Sequence, residues 1–280
     1  MDRSRDRTGL AAAGALESEV TSDRALAEYA AERDELMRQL VMSLEADGRV
    51  SGAWMRGSFG RGEADYVSDI DVHVAVDDRR FPSGEEERLK FVGSVRRPLL
   101  TQDAGWAPLG GFNCCVLYPA SAGALEVDWM VWPASVAEIV PPAVVLFNRG
   151  AVPDSGFGDY RMLQNPGPPR DPDIMWAHCQ ASVWLFIFIA VKFLVRGADD
   201  AVFRMAELAD AQLVQLRVLL GRDARPASRR RSAKASLRAL VEAARELAPD
   251  RARVEAPDLW ESADAVIATC NRLLPGALDS

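Results

Sequence analysis

Residues 56–76 read RGSFGRGEADYVSDIDVHVAV, and the folding of this stretch governs how the rest of the chain can be arranged. It joins a glycine-bearing turn to a pair of aspartates one residue apart. The apolar run VSGAWM just before it, residues 50–55, reads as a buried strand. From Asp69 onward the pattern has period two: Ile70, Val72, Val74 and Val76 face one side, and Asp69, Asp71, His73 and Ala75 face the other. The two carboxylates then lie roughly 7 Å apart along one face of a strand. Two anions side by side on a pleated surface repel each other, and a divalent cation between them is the simplest reason for the arrangement.

The turn suits an anion. Gly57 lets the backbone approach a ligand closely and Ser58 offers a hydroxyl, while Gly60 and Gly62 relax the geometry so that consecutive N–H groups can converge. GSFGRG is not a P-loop, because the four-residue gap followed by Gly-Lys-Ser/Thr is missing. A cation for phosphate groups must therefore come from elsewhere in the chain.

Gly57-Ser58 followed by Ser68-Asp69-Ile70-Asp71, set between two apolar strands, resembles the signature of the DNA polymerase β-type nucleotidyltransferase superfamily. GSFGRGEADYVSDID is most similar to the small-molecule branch, the aminoglycoside and lincosamide antibiotic nucleotidyltransferases and their minimal relatives. The resemblance implies an α+β fold, with a mixed-sheet nucleotidyltransferase domain followed by an all-α helical-bundle domain. It implies two Mg2+ ions, with ATP or another NTP as co-substrate. The implied reaction moves a nucleoside monophosphate, AMP from ATP as the first expectation, onto a hydroxyl of a small molecule such as an antibiotic, releasing pyrophosphate.

The family also carries a third carboxylate on a neighbouring strand, within an apolar Val-Asp-apolar pattern. Here Glu126-Val127-Asp128 offers two candidates on one face. The resemblance selects Asp128, as metal ligand, general base or both, and leaves Glu126 in reserve. Asp69, Asp71 and Asp128 are thus the expected catalytic residues and metal ligands. Relatives place a lysine on a helix of the second domain against the triphosphate, and KFLVRG, residues 192–197, resembles that helix. Lys192 accordingly joins Gly57 and Ser58 as an expected nucleotide-binding residue. On chemistry alone, Lys192 interrupts WLFIFIAVKFLVRG, a helix apolar nearly all round, and must reach water or an anion. Two other functions compete: transfer to a protein or an RNA, as in toxin and antitoxin pairs, and a catalytically retired nucleotide-binding interaction module. Retention of Gly57, Ser58, Asp69, Asp71 and a third carboxylate speaks against the latter.

The 280 residues are 49% hydrophobic and 26% charged, which suits a soluble chain of one large or two modest domains. Lys and Arg number 33 against 41 Asp and Glu, a net charge of −8 that argues against a long nucleic-acid partner. Cys114, Cys115, Cys179 and Cys270 form no CxxC pair and read as buried thiols of a reducing, cytoplasmic setting. The first residues lack the apolar core of a secretion signal. The most apolar run, residues 183–195, reads as a core helix too short to span a membrane, so no membrane partner is expected.

The expected organisation is a disordered tail at 1–20, a nucleotidyltransferase domain at 21–150, a Gly- and Pro-rich linker at 151–172 and a helical domain at 173–280. Helices are expected at 24–46, 61–67, 85–97, 173–196, 200–220, 234–248 and 259–274. Strands are expected at 50–55 and 69–76, as a hairpin of 112–118 with 124–132, and at 143–147, with 98–111 as an irregular connection. His73 reads as a wall residue, His178, Trp176 and Trp184 as core, and the basic tract 225–231 as a solvated loop. Arg196 reads either as a helper of Lys192 or as a favourable charge at a helix C-terminus.

Overall fold

The computed structural model describes residues 5–155, 162–164, 171–226, 232–247 and 257–276. Its centre is a six-stranded mixed sheet: β1 (Val50–Met55), β2 (Ile70–Val76), β3 (Leu100–Asp103), β5 (Phe112–Ala120), β6 (Gly123–Pro133) and β7 (Val144–Asn148), in the order β3-β5-β6-β2-β1-β7. β2 and β6 run parallel at the middle, and every other neighbouring pair is antiparallel. Short strands β4 (Trp106–Pro108) and β8 (Met162–Gln164) pair separately. The helices are α1 (Arg5–Ala46), α2 (Gly57–Arg61), α3 (Glu85–Gly93), α4 (Pro172–Val195), α5 (Asp199–Leu219), α6 (Ala233–Glu246) and α7 (Pro257–Leu273). The chain is therefore α+β, with a mixed sheet and, among the described residues, seven α-helices.

Central strands buried on both faces explain why residues 70–76 are so apolar. On one face Val72, Val74, Val127, Trp129 and Val131 join Leu36, Leu40 and Leu44 of α1 and Phe91 and Val92 of α3 in the main core. Two tryptophan and tyrosine polar atoms are satisfied within it: Trp129 Nε1 donates to Tyr118 Oη at 3.1 Å, and Tyr118 Oη donates to the Val92 carbonyl at 2.7 Å. On the other face Trp54, Ala75 and Trp132 form a smaller core with Ala137, Ile139 and Val152 from the segment around β7. The alternation read from the sequence is thus the division between two cores.

Several elements differ from the sequence expectation. α1 is helical from Arg5, across most of the expected tail, where residues 10–17, LAAAGALE, are nearly all strong helix formers. The short helix expected at 61–67 is instead the glycine turn itself, Gly57–Arg61, stopped by Gly62 at φ 70°. Residues 65–68 are occupied by a turn in which Asp65 Oδ1 accepts from Val67 N and Ser68 Oγ. The connection at 98–111 contains β3 and β4, ordered by pairing partners that lie far away in sequence. The expected linker holds β8 and the start of α4, and its residues 156–161 and 165–170 lie outside the described residues, as do 227–231 of the basic tract.

α4 matches the helix expected at 173–196, but its apolar stretch is longer than the run 183–195, which on sequence alone reads as too short to span a membrane. Ile174–Val195 is 22 residues long with mean hydropathy 1.8, enough to cross a bilayer, yet 67% of its most apolar window is buried inside the protein. Val183, Ile187, Phe188 and Val191 belong to the same main core as the sheet.

α7 is joined to the β5–β6 turn by close approach. Thr269 Oγ1 accepts from Ala124 N at 2.8 Å, and a Cβ on Gly123, where φ is +123°, would overlap the Thr269 hydroxyl and backbone nitrogen. Gly123→Ala is expected to destabilise the protein by roughly 2 kcal/mol or more, through strain and overpacking together. Chemical denaturation measures this, and an unchanged midpoint would show that the turn does not bear on α7.

Candidate functional site

The carboxylates come together because β2 and β6 are parallel and in register. Ile70 pairs with Val127 and Asp71 with Asp128, so Asp71 and Asp128 project side by side from adjacent strands. Asp69, just before β2, supplies the third group. Carboxylate oxygens of Asp69, Asp71 and Asp128 all lie within 4.8 Å of one another, a spacing at which cations of the Mg2+ class are held by oxygen ligands. The three residues expected to act together are therefore adjacent.

Lys192 lies in this cluster. Its Nζ is bonded to Glu126 Oε2, lies 3.4 Å from Asp69 Oδ2 and sits 5.6 Å from the centre of the Phe188 ring. Lys192 is 2% exposed and Glu126 3%. Of water and an anion, the two partners open to this lysine on sequence alone, it reaches an anion, the protein's own carboxylate pair. Burial disfavours the ammonium, but Glu126 and Asp69 outweigh it and raise the Lys192 pKa, which keeps the group charged. Glu126 is occupied at both oxygens, since Cys115 Sγ donates to Oε1 at 3.1 Å. Held in this way, Glu126 acts as a counter-ion, and Asp128 is the member of the pair that faces Asp69 and Asp71.

The three aspartates titrate differently for physical reasons. Burial raises Asp69, but Lys192 more than compensates and its carboxyl stays below the ordinary range. Burial, then the Asp69 charge, pushes Asp71 up to about 6. Asp128 is driven well above the carboxylate range by burial and by the charges of Glu126, Asp69 and Asp71. Three neighbouring carboxylates are costly to keep ionised together, and the raised values of Asp71 and Asp128 express that repulsion together with burial.

The glycine turn packs directly over the aspartates. Gly57 has φ +53°, and a Cβ there would overlap the Asp71 carboxylate. The close approach that glycine permits at this position is to Asp71. Next to it, Ser58 Oγ is buried with no hydrogen-bond partner, an orphaned hydroxyl that a bound oxygen-rich group would satisfy. A second clamp holds the turn's far end. Arg196 pairs with Asp65 at 2.7 and 2.9 Å, which pulls the Asp65 pKa down to about 2. Arg33 of α1 donates to the carbonyls of Asp65 and Ser68 and lies over the Phe59 ring. Of the two roles read for Arg196, helper of Lys192 or helix C-terminal charge, the structure gives it a third, the tie between α4 and the turn.

His73 is 7% exposed between Trp54 and Trp132, ring centroids 5.4 and 6.0 Å away. Burial and the nearby Arg56 hold its pKa down to about 3, so it is a neutral wall residue. Trp176 and Trp184 are core residues. His178 is half-buried on Gln102 instead of fully in the core. Cys115, read from the sequence only as a buried thiol, is half-buried beside Glu126, a place that the sequence did not reveal because its partners are on the next strand. The hairpin register, which sets Cys115 opposite Asp128, is the signal that finds it. Comparison with protein-family models gives no match, and comparison with curated proteins gives none either.

Two predictions follow from the electrostatics. Lys192→Met leaves Glu126 buried without its cation and is expected to cost roughly 3–5 kcal/mol of stability. Adding Glu126→Gln should recover much of that loss, and Mg2+ should stabilise the single variant more than the wild type. A double variant less stable than Lys192→Met alone would mean that the two charges do not interact.

Asp71 has a higher pKa in the fold than the ordinary 3.8. Its contribution to stability is therefore complete below the ordinary value and is lost as pH rises through about 6. Without divalent metal, Asp71→Asn should match the wild type near pH 4 and exceed it by roughly 1–3 kcal/mol at pH 7. Urea unfolding across that range checks it, and a gap that does not vary with pH would contradict it.

Proposed function

We propose that the protein is a nucleotidyltransferase that moves a nucleoside monophosphate, AMP from ATP in the first instance, to a hydroxyl group of a small molecule, with release of pyrophosphate. The observation that carries this reading is the set Asp69, Asp71 and Asp128, brought within 4.8 Å from two adjacent strand positions and the residue before them. It is supported by the buried, unpartnered Ser58 hydroxyl in the neighbouring glycine turn. In this reading the sheet with α1–α3 is the nucleotidyltransferase domain, α4–α7 are the helical-bundle domain, and the reaction takes place where Lys192 meets the sheet.

The donor set is all carboxylate, which fits Mg2+ and not a soft metal. Asp69, Asp71 and Asp128 would hold the ions, which when bound would neutralise the triphosphate and polarise its phosphoryl group. Ser58 Oγ and the N–H groups of the Gly57 turn hold the outer phosphates in place. Lys192 keeps one positive charge at the centre throughout, shared between Asp69 and Glu126. In this reading Asp128 takes the proton from the acceptor hydroxyl as a carboxylate, the form that bound metal would favour by offsetting the neighbouring negative charges. The −8 net charge favours cationic acceptors over polyanionic ones.

The test is incubation of the purified protein with MgATP and a panel of hydroxylated small molecules, followed by mass spectrometry of both the small molecules and the protein. An acceptor heavier by one nucleotidyl group, with pyrophosphate released in equal amount, is the expected result. Asp69→Asn and Asp128→Ala should each lower the rate roughly a thousandfold or more. Modification of the protein alone, or wild-type rates in both variants at saturating Mg2+, would overturn the proposal.

A further inference from the structure

Away from the carboxylates, a cavity of 480 Å³ lies between α3, the edge strand β3 and the first turns of α4. None of Asp69, Asp71, Glu126, Asp128 or Lys192 lines it. Its volume falls in the range of small-molecule sites. Val92, Phe112, Cys114 and Ala181 give it a buried apolar wall, and Leu89 and Ile174 are exposed large side chains at its border.

Two lining side chains are arranged to donate hydrogen bonds. Arg88 lays its guanidinium over the Phe112 ring, 5.5 Å from the centroid, and donates from Nη2 to the Ser83 carbonyl at 3.2 Å. Its Nε is buried with no hydrogen-bond partner, and such a donor destabilises a protein until something accepts from it. His178 is fixed by Gln102, whose Nε2 lies 2.9 Å from Nδ1. The same amide nitrogen lies 3.5 Å from Nε2, and the neutral ring has one N–H to donate. The remaining charged groups of the lining, Glu85 and Asp103, are exposed carboxylates.

From this arrangement we infer that the cavity is a second ligand site, for a small zwitterion of the α-amino-acid type with an apolar side chain. The carboxylate accepts from Arg88 Nε and His178, the ammonium faces Glu85 and Asp103, and the side chain lies on Val92 and Ala181. A purely anionic ligand meets two repelling carboxylates. A purely cationic one leaves the Arg88 donor unsatisfied. The inference does not depend on nucleotidyl transfer, because it uses none of the residues of that centre.

The full chain, without nucleotide or divalent metal, is titrated with L-phenylalanine, 3-phenylpropionate and 2-phenylethylamine, and binding is followed by calorimetry and ligand-observed NMR. L-Phenylalanine should bind about tenfold or more tightly than either truncated probe. Arg88→Met should weaken L-phenylalanine and 3-phenylpropionate by about tenfold and leave 2-phenylethylamine unaffected, and Asp103→Asn should do the reverse for the two truncated probes. Ala177→Leu, which fills the cavity without changing charge, should abolish binding of all three, with the unfolding midpoint of each variant reporting that the fold is retained. Absence of saturable binding up to about 10 mM of every probe, or equal L-phenylalanine affinity in the wild type and the Arg88 and Asp103 variants, would overturn the inference.

Discussion

The charge of one buried lysine decides whether the centre of this protein can exist. Asp69, Asp71, Asp128 and Glu126 come from β2, the residue before it and β6, and are half-buried or buried. Lys192, 2% exposed, is the cation set among them. It comes from α4, a helix whose other residues are almost all apolar and belong to the main core. Docking of α4 against the sheet and neutralisation of the acidic cluster are therefore one event. A single side chain that bonds Glu126 and approaches Asp69 fixes the level at which the helix lies along the strands.

The sheet makes such a cluster possible by separating two environments. One face of β2 and β6 is wholly apolar under α1 and α3. The other is apolar only from His73 onward, where Trp54 and Trp132 close over it. The aspartates sit where the second core stops and α4 has not yet covered the sheet completely. Gly57 allows the turn to lie against Asp71, and the Asp65–Arg196 pair with Arg33 holds the far side of that turn to α4 and α1. The carboxylates are thus enclosed on three sides while Ser58 Oγ still lacks a partner. The unmet needs of such a centre are positive charge among the carboxylates and an acceptor for the Ser58 hydroxyl.

What the sequence by itself determined was mostly local or periodic. The period-two pattern of residues 70–76 defined both the strand and its acidic face. The two arms of the hairpin, the strand Val50–Met55 and the four later helices follow from hydrophobic spacing, which a chain reveals without its partners. The lone lysine on an apolar helix already had to reach either water or an anion, because an unpaired buried charge is too costly to keep.

The choice between the two, and the identity of the anion, were decided by tertiary structure. Lys192 and Glu126 are 66 residues apart, and their meeting depends on how a helix docks on a sheet, which no local pattern encodes. Cys115 beside Glu126, Arg196 on Asp65 and the orphaned Ser58 hydroxyl are likewise consequences of register and packing. β3 and β4 were invisible for the same reason: short, mixed-composition segments become strands only when another segment, β5 for β3 and β8 for β4, offers its ladder. Periodicity reports which face of an element is buried, and only the assembled fold reports what it is buried against.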